Sequence, residues 1–321
     1  MAHPSLSTPL RLPWFVRRWV DQAFFERLQP SSRPAVDFSH PRGEPALVAP
    51  DSIAWQVFKN PVALYVGGVA AVILELAEPS VRAGVWDHST FRTDPVTRLQ
   101  RTGLAAMVTV YGARSKAEAM IAGVGRAHGQ VTGRTSTGKS YRADDVELLN
   151  WVQATASFGF VEAYRHFVHP LSEVDVDRFY AEAGSAARRY GALQAPACDA
   201  DRARLFEAMR PGLEASPTIF AFLDIVGSAA AFPRPLRALQ RLLTRAAVDI
   251  TPAWLRDDLG LKAEHGLRPW ERPLIQRVGR QADRLLLPSS PAVQSCRRLG
   301  LPDNYLYDMH VRASIPSARE V

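Results

Sequence analysis

The sequence predicts an all-α fold, in which a single multi-helical domain follows an irregular N-terminal arm. Three observations support this class. Apolar residues recur at three- and four-residue spacing along most of the chain, alternating strand patterns are scarce, and helix-start signals precede several of the apolar segments. The 321 residues are 47% hydrophobic and 22% charged, which is ordinary for a globular protein and excludes disorder over most of the length.

The arm comprises residues 1–50, which are rich in proline and polar residues. It contains one amphipathic stretch, Trp14–Leu28, and this pattern fits either a helix packed on the domain or one that lies on a membrane surface. Residues 62–77 are the most apolar segment, but they are shorter than the roughly 20 residues of a membrane span and include Glu75, so a buried core helix is expected. We expect the helical domain to cover residues 51–302 and an irregular tail to cover 303–321.

Helix-start signals divide the middle of the domain. A residue that caps a helix N-terminus is followed either by proline at the first helical position or by an acidic residue three positions later. The sequence predicts helix starts of this kind at Asp94 with Pro95, at Ser115 with Glu118, at Asp144 with Glu147, and at Ser172. The helix over 144–168 is rich in aromatic residues, and prolines divide the later chain into shorter helices at 217–230, 234–247, 252–260, 271–287 and 291–299.

Charge and cysteine content narrow the classes of partner and compartment. The formal net charge is +7, which suits anionic ligands, nucleic acid or anionic membrane. No basic run, zinc-finger pattern or other nucleic-acid motif is present, so we expect no nucleic-acid partner. Two cysteines, Cys198 and Cys296, exclude a disulfide scaffold. Together with the lack of a secretory signal pattern in the first twenty residues, this predicts a reducing, cytoplasmic location.

Residues 133–140 (GRTSTGKS) fit the phosphate-binding pattern G-x-x-x-x-G-K-[ST] at every fixed position. A phosphate-binding loop follows a buried strand and opens a helix, because the helix N-terminus provides the field that binds the anion. The preceding residues, 125–132, do not form a buried-strand pattern and are typical of a helix end. We therefore expect a polar loop between helices, and nucleotide hydrolysis is the least favoured function.

Two groups of residues carry side chains that could bind an anion, a bound oxygen species or a metal. Arg98, Arg101 and Thr102 share one face of the helix that begins after Asp94, and two guanidiniums with a hydroxyl suit an anion or a bound oxygen species. A solvated charged face is the alternative. His128 lies on the same apolar stripe as Ile121 and Val124, where a histidine is either a core residue or an axial ligand of haem iron.

Several segments, in this order and spacing, together resemble one protein family. They are residues 67–68 (GG), 76–79 (LAEP), 84–91 (GVWDHSTF), 94–102 (DPVTRLQRT), 126–133 (RAHGQVTG), 141–144 (YRAD), 149–154 (LNWVQA), 163–164 (AY) and 171–172 (LS). The chain resembles the MpaB-type oxygenase-like family, which is related to the latex-clearing rubber oxygenases. The resemblance extends over about residues 55–270.

The resemblance implies a globin-like, all-helical core that holds haem b. By similarity, His128 matches the iron ligand, and Arg98, Arg101 and Thr102 match the distal positions, with Arg98 and Thr102 as the catalytic pair. Arg101 would hold a haem propionate or line the distal pocket. Ile121 and Val124 would contact the cofactor.

This sequence departs from the family at three positions. Arg101 stands where the rubber oxygenases have a lysine, and an arginine cannot lose its proton to ligate iron. Glu78 stands where a histidine precedes proline, and Gln153 where a histidine follows Trp-Val. The resemblance leaves the catalytic carboxylate unassigned between Glu75 and Glu78, and it assigns no role to His88.

The expected function is oxidation or oxidative C=C cleavage of an apolar small molecule by dioxygen, on a haem b iron. The apolar face of the aromatic-rich helix is expected to bury this substrate. A helical protein with a binding or regulatory role, with or without haem and without turnover, is the alternative. The N-terminal arm offers a contact to a membrane surface, and the substrate, electron donor and oligomeric state are left open.

Overall fold

A computed structural model describes residues 8–10, 12–29, 35–308 and 311, and it confirms the all-α class. Short 3-10 turns precede or link several of the helices. Within the described residues the α-helices are α1 (Trp14–Leu28), α2 (Ile53–Phe58), α3 (Pro61–Ala77), α4 (Pro79–His88), α5 (Pro95–Tyr111), α6 (Arg114–His128), α7 (Val146–Phe167), α8 (Glu173–Arg189), α9 (Asp199–Met209), α10 (Pro217–Ser228), α11 (Arg237–Ile250), α12 (Ala253–Asp258), α13 (Glu271–Ala282) and α14 (Pro291–Arg298). The strands β1 (Thr132–Arg134) and β2 (Ser140–Arg142) form an antiparallel hairpin.

Helices α3 and α7 form the central pair of the domain. The Asn60 side chain caps α3 by accepting hydrogen bonds from the Val62 and Ala63 N–H groups. Pro61 occupies the first helical position, where a backbone N–H would have no partner within the helix, so proline is tolerated there. The two helices touch at Gly67 and Gly159, where a Cβ on Gly159 would lie 2.3 Å from the Gly67 carbonyl oxygen. Glycine is therefore required at this crossing, and it fixes how closely the two helices approach.

The start of α3 is anchored by a buried ion pair. Lys59 Nζ lies 2.6 Å from Asp283 Oδ2, and both side chains are 1% exposed. Asn60 Nδ2 donates to Asp283 Oδ1 at 3.1 Å, and the Lys59 ammonium lies over the Tyr307 ring. Burial alone would raise the pKa of Asp283, but Lys59, His169 and Asn60 together hold that pKa below its usual value. The group stays ionised, because its charge has partners on several sides.

Two of the predicted helix starts agree with the structure, and two do not. Asp94 caps α5 and Ser172 caps α8, the latter through a reciprocal capping box with Asp175. The expected cap at Ser115 is wrong: α6 begins at Arg114, and the Ser115 N–H and hydroxyl instead donate to the Glu44 carboxylate. Helix α7 is capped by Asp145, one residue after the expected position, because Asp144 pairs with the Arg142 guanidinium.

Residues 133–140 form the hairpin of β1 and β2 rather than the expected loop without strands. Gly133 pairs with Tyr141, and a Cβ at Gly133 would lie 2.6 Å from the tyrosine oxygen. Gly138 has φ +86, a left-handed conformation that suits glycine in a tight turn. Lys139 precedes a strand, so its surroundings lack the helix N-terminus that phosphate binding requires.

Both ends of the described chain contribute to the core. Phe38, Ala46 and Val48 are buried against the helices, as are Tyr305 and Tyr307. The division into an arm, a helical domain and a tail stays a prediction, and residues 1–7, 11, 30–34, 309–310 and 312–321 of the arm and tail lie outside the described residues. In the described chain, no single helix has the length and apolarity to cross a membrane, although α3 and α4, bent by 112° to each other, pass that test as a pair.

Candidate active site

Glu75 and Arg98 form an ionisable pair between the last turn of α3 and the first turn of α5. Burial raises the pKa of Glu75 to about 7, and the charge of Arg98 opposes that rise. Burial lowers the pKa of Arg98, and the Glu75 carboxylate opposes this change. Both side chains nevertheless keep partial contact with solvent. The two side chains therefore lie at a boundary between the packed interior and the solvent.

His128 is the last residue of α6 and belongs to the same region, because the Arg98 charge acts on it. Burial lowers the pKa of His128, Arg98 lowers it further, and Asp144 acts in the opposite direction. The imidazole is therefore neutral at neutral pH. Within the described residues its ring nitrogens make no hydrogen bond. A neutral, unpartnered imidazole has a free lone pair, which is the form that ligates a metal.

Arg98 and Thr102 contact each other, as their i, i+4 spacing predicts. The Arg98 guanidinium donates to Thr102 Oγ1, and Thr102 Oγ1 donates to the Arg98 carbonyl oxygen at 3.0 Å. Thr102 and Arg101 are exposed, and the charge of Arg101 contributes to the lowered pKa of Arg98. The structure thus places Arg98 partly buried near Glu75, with Arg101 and Thr102 exposed to solvent.

The structure distinguishes the two glutamates that the sequence left open. Glu78 is buried and caps α4, with its Oε2 accepting from the Val81 N–H at 2.6 Å. Its carboxylate therefore holds a helix end. Glu75 is the carboxyl that interacts with Arg98, and a single acidic residue within an otherwise apolar helix was the signal for it in the sequence. His88 ends α4 and is exposed.

The surroundings of His128 include both packed and open positions. Ile121 is 2% exposed and belongs to the packed interior, whereas Val124 is half-buried. A Cβ at Gly125 would meet nothing within 4 Å, and one at Gly123 would meet only the Arg126 guanidinium at 3.8 Å. Gly125 is exposed, so the surface of α6 there is open to solvent.

The aromatic side chains of α7 are mostly core, which corrects their expected role as a substrate wall. Trp151 is fully buried, and its ring centroid lies 5.0 Å from that of Phe206; Phe158 also packs on Phe206. Phe160 is half-buried and lies beside Gly68 of α3. Gln153, at the position where the family has a histidine, donates to Ser157 Oγ at 3.3 Å.

No three His, Cys, Asp or Glu side chains gather as metal ligands in the part of the chain that is described. His128 therefore stands as a single candidate ligand. A metal bound there would need its other ligands from a group outside the protein, such as a macrocycle.

Comparisons with known proteins were made for the whole chain. The sequence profile of a family described as "ER-bound oxygenase mpaB/B'/Rubber oxygenase, catalytic domain" matches residues 55–283. An uncharacterized protein of Mycobacterium tuberculosis and one of Mycobacterium bovis are each 32% identical over 180 residues, which is 53% of this chain and 69% of each relative. No solved structure matches significantly.

Proposed function

The chain belongs to the mpaB and rubber oxygenase catalytic-domain family, and from that premise we propose that it is a haem b-dependent oxygenase of an apolar substrate. The family match confirms the resemblance that the sequence predicted, and it supports an oxygenase in general terms. The haem, the substrate class and the residue roles are our proposal. The observation that carries it is the His128 imidazole, which has no hydrogen-bond partner among the described residues and lies within reach of the Arg98 charge, as does Glu75.

The donor groups near His128 fit haem b. The His128 imidazole, whose pKa is lowered by burial and by Arg98, offers one nitrogen ligand. The exposed Arg101 suits a propionate carboxylate. When bound, the haem would supply a redox-active iron that activates dioxygen.

Arg98 would act as the hydrogen-bond donor in the reaction, and Thr102 would hold it in position, because the single O–H of Thr102 is already donated to the Arg98 carbonyl oxygen. The Arg98 guanidinium has five N–H groups, and its bond to Thr102 Oγ1 leaves others free and fixes the direction of the side chain. Donors held in this way stabilise negative charge that develops on oxygen, which is worth about 3 kcal/mol or roughly a hundredfold in rate. The partial burial of Arg98 strengthens this effect, since fewer water molecules compete.

Glu75 would hold and release a proton at its carboxyl group. Its pKa of about 7 places the exchange near neutral pH, where a general acid or base works best. The nearby Arg98 charge favours the ionised form and keeps the pKa from rising further. We assign Glu75, and not the helix-capping Glu78, to proton transfer with the substrate.

The first experiment is the visible spectrum of the protein expressed with ample haem, compared with His128→Ala and with His88→Ala as the matched control. We expect a Soret band in the wild type and in His88→Ala, because His88 is exposed at the end of α4. We expect the band to be lost or shifted in His128→Ala. A wild-type protein without a Soret band would contradict the haem proposal, and an unshifted band in His128→Ala would contradict the ligand assignment.

Dioxygen consumption separates an oxygenase from a haem carrier. The haem-loaded protein is mixed with terpenoids and unsaturated fatty chains while oxygen is recorded with an electrode. Consumption that depends on one of these substrates supports the proposed function. A spectrum that changes without any consumption of oxygen supports the binding or regulatory alternative.

A further inference from the structure

The N-terminal half of α1 exposes three large aromatic side chains. Trp14 is 70% exposed, Phe15 60% and Trp19 58%. The C-terminal half of the same helix is docked on the domain, where the Asp21 carboxylate accepts from the Ser289 N–H at 2.9 Å and from its hydroxyl at 2.8 Å. The helix is therefore docked on the domain along part of its length, and its aromatic end faces the surroundings. Exposing this much apolar surface to water is unfavourable.

Two arginines lie among these aromatics. Arg17 and Arg18 are exposed, and no ion pair within the described residues engages either of them. Together with Trp14, Asp21 and Pro288, they line a cleft of about 250 Å³. The Asp21 carboxylate offsets one of the two guanidinium charges in this cleft, so a net positive charge remains.

A second cleft continues the basic surface on the other side of Pro288. It has a volume of about 330 Å³ and is lined by Ser39, His40, Arg42, Pro288, Gln294 and Arg297. His40 is paired with Asp37 at 2.8 Å and Arg297 with Asp303 at 2.6 Å. Arg42 is exposed and has no ion pair among the described residues. Free positive charge therefore extends from α1 across Pro288.

We propose that the aromatic-arginine surface, defined as Trp14, Phe15, Arg17, Arg18 and Trp19, binds the face of a lipid bilayer that contains anionic lipid. Tryptophan rings are enriched at the level of lipid headgroups, because one part of the ring is apolar and the N–H is polar. Arginines beside them pair with lipid phosphates.

Charge decides against a second copy of the chain as the occupant. A symmetric dimer would place the same surface on both sides of the interface. The four guanidiniums of two Arg17–Arg18 pairs would then lie together, and the two Asp21 carboxylates would compensate only two of these charges. An anionic bilayer supplies the missing negative charge, and the net charge of +7 acts in the same direction.

The test is flotation of the full-length protein with vesicles of phosphatidylcholine that contain about one third phosphatidylglycerol, beside vesicles of phosphatidylcholine alone. We expect flotation with the anionic vesicles, weaker binding at high salt, and a blue shift of tryptophan emission. Arg17→Gln with Arg18→Gln should weaken this binding about tenfold to thirtyfold. Trp14→Ser with Trp19→Ser should weaken it by about tenfold or more.

Matched controls use residues of the same type elsewhere on the surface. Trp270 is 63% exposed, and Arg237 and Arg241 are exposed on α11. Trp270→Ser, and Arg237→Gln with Arg241→Gln, should leave vesicle binding within about twofold of the wild type. Circular dichroism and thermal unfolding confirm that each variant is folded, since all the replaced side chains are exposed.

Three outcomes would overturn the proposal. The wild type does not float with anionic vesicles, the control variants lose binding as strongly as the surface variants, or the protein is a dimer that Trp14→Ser with Trp19→Ser dissociates in analytical ultracentrifugation. The flotation assay needs neither haem nor turnover. Its failure is therefore independent of the oxygenase proposal.

Discussion

Two neighbouring faces of α3 differ in how closely the rest of the molecule approaches them. At Gly67 a Cβ would lie 2.7 Å from the Phe160 Cα, whereas at Gly68 the nearest atom is Phe160 Cε1 at 4.0 Å. Val72 and Glu75 continue the less enclosed face at helical spacing. One helix thus packs tightly on α7 along one face and carries the partly exposed Glu75 on the other, so the tight contact fixes the position of Glu75.

The largest effect on stability is expected at the buried Lys59–Asp283 ion pair, which lies at the start of α3. Asp283→Asn keeps the shape of the side chain but removes the carboxylate charge that lies 2.6 Å from the buried Lys59 ammonium. We expect a loss of about 3 to 5 kcal/mol in the free energy of unfolding, measured by urea denaturation. Lys59→Met combined with Asp283→Leu should recover much of this loss, because no charge then remains buried. A double variant no more stable than Asp283→Asn would contradict this account.

The next effect tests the two faces against each other. Gly159→Ala would place a Cβ 2.3 Å from the Gly67 carbonyl oxygen, and separating α3 from α7 should cost about 3 kcal/mol or more. Gly68→Ala would place a Cβ 4.0 Å from Phe160 Cε1, an ordinary contact, and should stabilise α3 by about 0.5 to 1 kcal/mol. Thermal and urea unfolding of both variants measure the difference. Equal losses in the two variants would show that both faces of α3 are equally packed.

The smallest effect concerns Glu75 and depends on pH. Its folded pKa of about 7 is above the value near 4.3 of an unfolded chain, so between these values the folded state holds the proton more tightly. The contribution of Glu75 to stability is therefore fully present below about pH 4 and is lost as the pH rises to about 7. We expect the free energy of unfolding of Glu75→Gln, measured relative to the wild type, to be higher at pH 8 than at pH 5 by about 1 to 2 kcal/mol.

Urea denaturation of the wild type and Glu75→Gln at the two pH values measures this gain. Glu214→Gln is the control, because the Glu214 side chain is largely exposed, in an ion pair with Arg82. A difference between Glu75→Gln and wild type that is the same at both pH values would indicate an ordinary pKa for Glu75.

Local signals in the sequence were sufficient for much of the helical framework. Asp94 with Pro95, and Ser172 with Asp175, contain their whole capping interaction within a few residues, and the structure has both. The Ser115 signal failed because Glu44, 71 residues earlier in the chain, binds its N–H and hydroxyl. A local capping pattern contains no information about a residue distant in sequence that binds the same N–H and hydroxyl groups.

The candidate site was predictable only in part, for a similar reason. The Arg98–Thr102 contact follows from one helical turn. The interaction of Glu75 with Arg98 requires the 112° bend between α3 and α4 and the path from α4 into α5, and no periodicity encodes that path. The roles of Arg98, Arg101, Thr102, Ile121, Val124 and His128 in cofactor binding stay predictions.

The position of Tyr307 has a consequence for how the protein is made. Its buried ring lies against the Lys59 ammonium, yet the two residues are separated by most of the chain. At roughly 5 to 20 residues per second, a ribosome needs on the order of ten seconds or more to add the intervening segment. During that time the start of α3 lacks its ring partner, and the nascent chain depends on other contacts or on chaperones until Tyr307 emerges.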